Sequence, residues 1–142
     1  PLKKKSAARS RVHDIIHDFN TQNGLNWKIS LKGENELIGY IGFWRIDFDN
    51  FRAEIGFGLD QEHQHQGYMT EAMEAVRDYG FENMGINSIK ADVDPRNESS
   101  VQLLVNTGYK KEAHFRENYF FDGQFLDSDY YCMIRSDWEK LA

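Results

Sequence analysis

The spacing of hydrophobic and polar residues changes partway along the chain. In its first half, apolar and polar residues alternate, which is the spacing of strands with one buried face. Three such runs cover residues 25–31, 36–47 and 51–60, and short turn signals rich in Gly, Asp and Asn separate them. Because these connections are too short for crossovers, the pattern predicts an antiparallel meander.

The spacing then becomes helical. Apolar residues three and four apart predict a helix over residues 69–83, and a strand-like run follows at 88–94. A strand, a helix and a strand in succession imply a crossover connection, and hence a parallel pair of strands. A second helix is expected after Asn97, a favourable N-cap residue, and before Gly108, a favourable residue just past a helix end.

The two ends of the chain complete the predicted order. Helical spacing predicts a first helix over residues 6–20. Two long strands, 109–121 and 124–134, flank Asp122-Gly123, a strong hairpin signal. The order helix, three strands, helix, strand, helix and hairpin indicates a single α/β (α+β) domain with a mixed sheet.

The run at 53–59 has an unusual face. Side chains alternate in a strand, so Glu54, Gly56 and Gly58 share one face, and the residues between them form an apolar face. Two glycines on one face weaken a strand, which indicates close approach by another element or by a ligand. The strand alone leaves packing of a neighbouring helix and binding of a ligand equally open.

The segment after this strand, HQHQGYMTEA at 63–72, leads into the predicted helix. Backbone N–H groups at such a turn and at a helix N-terminus form a binding site for anions. Gly67 would let the backbone approach a phosphate closely. A linear ligand could therefore lie along the glycine face, with its phosphates at residues 64–70.

Two pairs of histidines have the spacing of metal ligands. His63 and His65 are two apart, and His13 and His17 are four apart on the first predicted helix. Neither pair has the further ligands that a structural or catalytic zinc site needs. We expect exposed histidines and no bound metal.

Composition narrows the class of protein. The chain has 142 residues, 40% of them hydrophobic, which suits one compact domain. A net charge of −6 argues against nucleic-acid binding, and the absence of a long apolar run argues against a membrane partner. The single cysteine, Cys132, lies in an apolar strand-like run, so we expect a buried structural thiol and a cytoplasmic protein.

Two stretches resemble a known family. AEIGFGLDQEHQHQGYMTEA, from Ala53, and KADVDPRNESSVQLLVNTGYKKE, from Lys90, resemble the GNAT superfamily of N-acetyltransferases, and within it the RimJ/RimL type of ribosomal-protein N-terminal acetyltransferases. The resemblance covers about residues 10–135. It implies a mixed, mostly antiparallel sheet with a central splayed parallel pair flanked by helices. The family's first strand has no counterpart here, so the single acetyltransferase domain over residues 1–142 is expected to be N-terminally incomplete.

The resemblance also implies a binding site for acetyl-CoA. The family's pyrophosphate loop corresponds to residues 64–69, where His65 stands in place of a frequent glycine and Met69 in place of a small residue. The residues expected to bind the cosubstrate are Phe57, Gly58, Leu59, Gln64, His65, Gln66, Gly67, Tyr68, Met69, Thr70 and Asn97.

Glu54 and Ser100 are the candidate catalytic residues. Glu54 would accept a proton from the acceptor ammonium through water, or it would be a glutamate paired with Arg45 or Arg52. Many relatives place a proton-donating tyrosine where this chain has Leu104, so the resemblance leaves Ser100 to protonate the leaving thiolate. The alternative for Ser100 is a helix first-turn serine that satisfies local backbone groups.

The implied activity is acetyl transfer from acetyl-CoA to a primary amine, with the N-terminal amine of a (ribosomal) protein as the expected acceptor. Alternatives are a polyamine or other small amine, and an acyl-CoA-binding protein without activity. Expected partners are acetyl-CoA, the amine acceptor and a second copy of the chain. Aromatic and acidic residues of the hairpin are either acceptor-side groups or packing contacts: Glu117, Tyr119, Phe120 and Phe121.

Overall fold

The computed structural model describes residues 16–19 and 24–141, and in this part seven strands form one sheet in the order β1-β2-β3-β4-β5-β7-β6. The strands are β1 (Ile16–Phe19), β2 (Leu25–Ser30), β3 (Leu37–Asp47), β4 (Arg52–Leu59), β5 (Ser88–Val93), β6 (Lys110–Phe121) and β7 (Gln124–Ile134). The helices are α1 (Tyr68–Asn83), α2 (Glu98–Asn106) and α3 (Arg135–Glu139), and a short 3₁₀ turn spans Gln61–His63.

The first half of the sheet confirms the predicted meander, since β2, β3 and β4 pair in succession and antiparallel. The predicted helix over 6–20 is wrong at residues 16–19, which form β1 and pair antiparallel with β2; the rest of that prediction lies outside the described residues. A strand therefore precedes β2 at a place where a helix was expected. A run of four residues is too short to distinguish helical spacing from strand spacing. Pairing with the open edge of β2 makes these residues a strand.

The predicted parallel pair is confirmed, and it is short. β4 and β5 pair through three positions only, ending at Glu54 opposite Lys90. Both strands continue beyond that point, β4 to Leu59 and β5 to Val93, without further pairing. The two strands therefore separate in the middle of the sheet, which leaves a gap toward their carboxyl ends.

The core lies on one face of the sheet, against α1 and α2. Ala72, Met73 and Val76 of α1 are buried as predicted, and Leu104 of α2 is fully buried. Burying apolar side chains of this kind contributes on the order of 1.5–3 kcal/mol each. The helical spacing read from the sequence is therefore the spacing of core contacts.

A buried ion pair connects the helices to one another. Arg77 and Asp78 of α1 are both nearly inaccessible, and the Arg77 guanidinium donates to the Asp78 carboxylate at 3.0 Å and to the Thr107 carbonyl at 2.8 Å. The Trp138 indole of α3 also donates to Asp78, at 2.8 Å. This network fastens α1 to the end of α2 and to α3, which the sequence patterns did not predict.

The hairpin forms as predicted. Asp122 and Gly123 both have positive φ values, 50° and 79°, as a type I′ turn requires. β6 is the edge strand, and the register shifts between Phe115 and Tyr119, which leaves extra residues on the β6 side. Among the described helices, none has the length and apolar character needed to cross a bilayer.

Candidate active site

The gap between β4 and β5 opens into a cleft of about 370 Å³. Its walls come from β3, β4, β5, the loop after β5 and α2. The residues that line it are Tyr40, Trp44, Arg45, Glu54, Ile55, Gly56, Phe57, Ala91, Asp92, Val93, Asp94, Asn97, Ser100 and Leu104. Both predicted catalytic residues, together with Phe57 and Asn97, therefore meet in one cavity although they lie far apart in sequence.

Glu54 marks the point where the strands separate. Its carboxylate accepts a hydrogen bond from Arg45 Nη1 at 2.9 Å and lies 3.7 Å from Lys90 Nζ. The expected pairing with Arg45 is thus present, whereas Arg52 pairs with Asp47 instead. The Glu54 side chain keeps 19% of its surface exposed, so its carboxylate is held by cations yet remains accessible from the cleft.

Side chains of β3 cover the glycine face of β4. A Cβ at Gly56 would lie 1.7 Å from Trp44 Cζ3, and a Cβ at Gly58 would lie 2.5 Å from Tyr40 Cε1. The glycines therefore make room for two aromatic rings of the neighbouring strand, and the partner is not a helix as considered from the sequence. A ligand crossing this face would rest on the rings.

Asn97 caps α2, as predicted. Its Oδ1 accepts the Ser100 backbone N–H at 3.2 Å and the Ser99 hydroxyl at 3.4 Å. The Ser100 hydroxyl has no hydrogen-bond partner within the described part of the chain, so it is available to the cleft. Leu104, one helical turn further on, is fully buried and also lines the cavity.

The loop between β4 and α1 has the backbone shape of an anion site. His65 and Gly67 have positive φ values of 64° and 85°, and Gly67 is the N-cap residue of α1. No side chain caps this helix, so N–H groups of its first turn point out of the N-terminus. The left-handed conformation at residue 65 explains why a glycine would be favourable there.

The loop's glutamines hold its shape with their side chains. Gln64 Nε2 donates to the Leu59 carbonyl at 3.0 Å, and Gln66 Nε2 donates to the Glu62 carbonyl at 3.1 Å. Met69 is buried in the core, so its bulk points away from the loop's outer surface. Gly58, Leu59 and residues 64–70 do not line the cleft itself; they continue from it along β4 to the start of α1.

A carboxylate at the mouth of the cleft is strongly paired. Asp94 accepts three hydrogen bonds of 2.8–3.2 Å from the Arg96 guanidinium, and the Tyr119 hydroxyl lies 3.5 Å away. The Arg96 guanidinium, together with the Arg96 backbone N–H, lowers the pKa of Asp94 to about 2. This contact brings β6 to the cleft. Of the four hairpin residues considered as acceptor-side groups, Tyr119 alone contacts a cleft residue in the described part of the chain.

The cysteine and one of the loop histidines differ from expectation. His65 is exposed as expected, but His63 is half-buried, and its buried Nδ1 has no hydrogen-bond partner among the described residues. Cys132 is half-buried, less than expected, and burial raises the pKa of its thiol to about 11, which keeps it protonated at neutral pH. His13 lies outside the described residues, and nothing is described of the His17 side chain. Within the described residues no group of three or more His, Cys, Asp or Glu side chains is arranged to hold a metal ion.

Several cleft residues were not predicted from the sequence. Trp44, Tyr40 and Asp92 line the cavity, and Lys90 reaches Glu54. Trp44 and Tyr40 alternate with Gly42 on one face of β3, and this aromatic pattern opposite the glycines of β4 was the available signal. The pairing of Lys90 with Glu54 depends on the parallel register, which no local pattern specifies.

Comparison with known proteins identifies the family. The sequence model of the acetyltransferase (GNAT) domain family matches residues 2–110 of the chain. The chain is 32% identical over 139 residues to the "uncharacterized N-acetyltransferase p20" of Bacillus licheniformis, covering 97% of this chain and 78% of the relative. It is 31% identical over 126 residues to the [ribosomal protein uS5]-alanine N-acetyltransferase of Escherichia coli, covering 87% of this chain and 65% of that enzyme.

Solved structures share the fold. The crystal structure of the spermidine/spermine N-acetyltransferase SpeG from Vibrio cholerae superposes with a TM-score of 0.78 at 22% sequence identity, covering 86% of this chain and 71% of that one. At this identity the likeness establishes the architecture alone. It agrees with the mixed, mostly antiparallel sheet and the separated parallel pair described above.

Proposed function

Because the chain belongs to the GNAT family of N-acetyltransferases, we propose that it acetylates the N-terminal amine of a protein with acetyl-CoA as the acetyl donor. The observation that carries the proposal is the meeting of Glu54 and Ser100 in the cleft where β4 and β5 separate. A carboxylate and a hydroxyl in one cavity supply the two proton-handling groups that acetyl transfer to an amine requires. The similarity to a ribosomal-protein N-acetyltransferase supports a protein acceptor.

The shape of the site fits acetyl-CoA. The cleft between the separated strands can receive a narrow chain, and the α1 N-terminus with Gly67 offers uncapped N–H groups for phosphates at the far end of β4. Gln64 and Gln66 fix the loop, and Asn97 orders the first turn of α2 beside the cleft. When bound, acetyl-CoA supplies the acetyl group as a thioester.

Glu54 is the proposed proton acceptor. Formation of the amide N–C bond requires a free amine, and an acceptor amine is largely protonated at neutral pH. The Glu54 carboxylate opens into the cleft and is oriented by Arg45, so it can take the ammonium proton directly or through one water.

Ser100 is the proposed hydrogen donor to sulfur. Breaking the thioester C–S bond leaves a thiolate that must be protonated or hydrogen-bonded. The Ser100 backbone N–H donates to the capping Asn97 Oδ1, and the Ser100 hydroxyl takes no part in the cap. The hydroxyl can therefore point to the cleft. Of the two α2 residues that line the cleft, Leu104 has no proton to donate, which leaves Ser100 as the donor.

The second candidate acceptor is a polyamine or another small amine. Asp92 and Asp94 add negative charge to the cleft, and the fold neighbour from Vibrio cholerae acts on spermidine and spermine. A cationic small molecule would suit these carboxylates. Asp94 is already paired with Arg96, however, which weakens its attraction for a second cation.

One experiment separates these alternatives from an inactive binding protein. Binding of acetyl-CoA is measured by isothermal titration, and thiol release is then followed with a peptide carrying a free N-terminus, with spermidine and with no acceptor. The proposal expects binding and peptide-dependent thiol release that Ser100→Ala slows. Release with spermidine alone would assign the second candidate, and binding without release on any acceptor would overturn the enzymatic proposal.

A further inference from the structure

Two aromatic rings form a continuous surface beside Glu54. The rings of Tyr40 and Trp44 have centroids 6.5 Å apart and planes inclined by 36°, so they are neighbours with tilted planes. Each covers a glycine of β4: Trp44 covers Gly56, and Tyr40 covers Gly58. We call this pair of residues, Tyr40 and Trp44, the aromatic floor of the cleft.

The Trp44 ring is held in place. Its indole N–H donates to Asn26 Oδ1 at 3.0 Å, and Asn26 in turn occupies the space above Gly42, where a Cβ would lie 2.2 Å from Asn26 Oδ1. The strand beneath the ring and the amide beside it therefore fix one orientation. A ring fixed in this way presents a preformed apolar surface, which lowers the entropic cost of binding a ligand on it.

The aromatic floor adjoins the proposed chemistry. Both rings line the same cleft as Glu54, and Glu54 is the cross-strand partner of Trp44. Tyr40 keeps 47% of its surface exposed, so apolar area remains available there for a ligand. An acceptor whose amine reaches Glu54 would lie with its adjacent atoms on the floor.

Cations lie on the β2 and β3 side of the aromatic floor, whereas the cleft's carboxylates Asp92 and Asp94 lie on β5 and in the loop after it. Arg45 directly follows Trp44 with 76% of its side chain exposed, and the exposed Lys28 is the cross-strand partner of Tyr40. Lys90 lies beyond Glu54, at 3.7 Å from its carboxylate. A second ammonium group beside the two rings would meet like charge from Lys28 and Arg45, although Arg45 and Lys90 are each paired with Glu54, and an uncharged apolar group would meet none of that repulsion.

On these grounds we propose that Tyr40 and Trp44 determine acceptor specificity, by seating the uncharged apolar side chain of the acceptor's first residue while its N-terminal amine faces Glu54. The inference rests on the proposed function, and it names the substrate class more narrowly. Burial of apolar area against two rings favours Phe, Leu or Met at that position. The exposed cations Arg45 and Lys28 beside the rings disfavour Lys or Arg there.

The test compares peptides that differ only in their first residue: Phe, Leu, Ala and Lys. The wild-type protein should show kcat/KM values about tenfold higher for Phe or Leu than for Lys, mainly through KM, as expected for burying one side chain. Trp44→Ala should reduce the ratio between Phe and Ala peptides to about one, and Trp44→Phe should restore part of it. Tyr40→Ala, at a half-exposed position, gives the same comparison with less risk to folding.

The matched control is Phe125→Ala, which removes an exposed aromatic ring at the hairpin tip. It should keep the wild-type preference. If the wild type acetylates peptides but both floor variants also keep the preference, the specificity inference is overturned and the proposed function stands. If the wild type prefers the Lys peptide, the specificity inference is overturned and the proposed function stands. If it acetylates spermidine and no peptide, the second candidate acceptor is assigned and both proposals fail. If it acetylates no amine, the proposed function itself fails.

Discussion

At the scale of single residues, glycines determine the shape of the cleft. At Gly42, Gly56 and Gly58, a side chain from a neighbouring strand fills the space that a Cβ atom would need. The sequence predicted that something must approach Gly56 and Gly58, but it did not indicate what. The answer depends on which strand residues stand opposite, and cross-strand register is a tertiary property.

Gly56→Ala tests this packing. The added Cβ would lie 1.7 Å from Trp44 Cζ3, so the indole, which Asn26 and the strand hold in place, must move. We expect a loss of about 1–3 kcal/mol in the free energy of unfolding and a shift in tryptophan fluorescence. Chemical denaturation measures the loss in the free energy of unfolding. Gly33→Ala is the control for backbone strain, because Gly33 has a positive φ but no atom lies within 4 Å of the added Cβ. An unchanged fluorescence spectrum in Gly56→Ala would contradict the described contact.

Glu54→Gln tests the proposed proton acceptor. The amide keeps the size of the side chain but cannot take a proton, so kcat at neutral pH should fall about 100-fold. At a pH above the pKa of the acceptor amine, about 8 for an N-terminus, the amine is already free and most of the rate should return. A pH–rate profile of the variant parallel to that of the wild type would remove Glu54 from this role.

Tyr109→Phe concerns a buried hydroxyl. Tyr109 is buried, its hydroxyl has no hydrogen-bond partner among the described residues, and burial raises its pKa well above the usual range. Removing an unpaired polar atom relieves its desolvation penalty, so we expect the free energy of unfolding to stay the same or rise by about 1 kcal/mol. A loss of more than about 1 kcal/mol in urea denaturation would reveal a partner for the hydroxyl.

At the scale of elements, the sequence predicted six of the seven strands in the described part of the chain and the helices α1 and α2, because each has a spacing of apolar residues that matches its buried face. It failed for β1, whose four residues pair with an open strand edge. It also missed α3, whose five residues are held by tertiary contacts such as the Trp138 indole on Asp78. Short elements depend on their neighbours more than on their own pattern.

The loop between β5 and α2 gives a prediction in acid. The Arg96 guanidinium lowers the pKa of Asp94 to about 2, below the value of about 4 in an unfolded chain. The stabilisation from this pair is therefore complete above about pH 4 and disappears as the pH falls toward 2. The difference in unfolding free energy between wild type and Asp94→Asn should be largest near neutral pH and shrink in this window. The same difference at both ends of the range would contradict the pairing.

At the scale of the whole molecule, the separated parallel pair links fold to function. Glu54 of β4 and Ser100 of α2 are 46 positions apart in sequence. They line one cleft because β4 and β5 separate after three paired positions. The motifs indicated the family and the two candidate catalytic residues. They did not indicate the walls of the cleft, since Tyr40 and Trp44 line it, and Lys90 approaches Glu54, only through sheet register.

The proposed function is tested most directly by mass spectrometry of a peptide with a free N-terminus after incubation with acetyl-CoA and either the wild-type chain or Glu54→Gln at neutral pH. The wild type should acetylate the N-terminus, and the variant should form the product about 100-fold more slowly. Acetylation at the same rate by both proteins, or a peptide left unmodified by a wild-type chain that binds acetyl-CoA, would contradict the proposal.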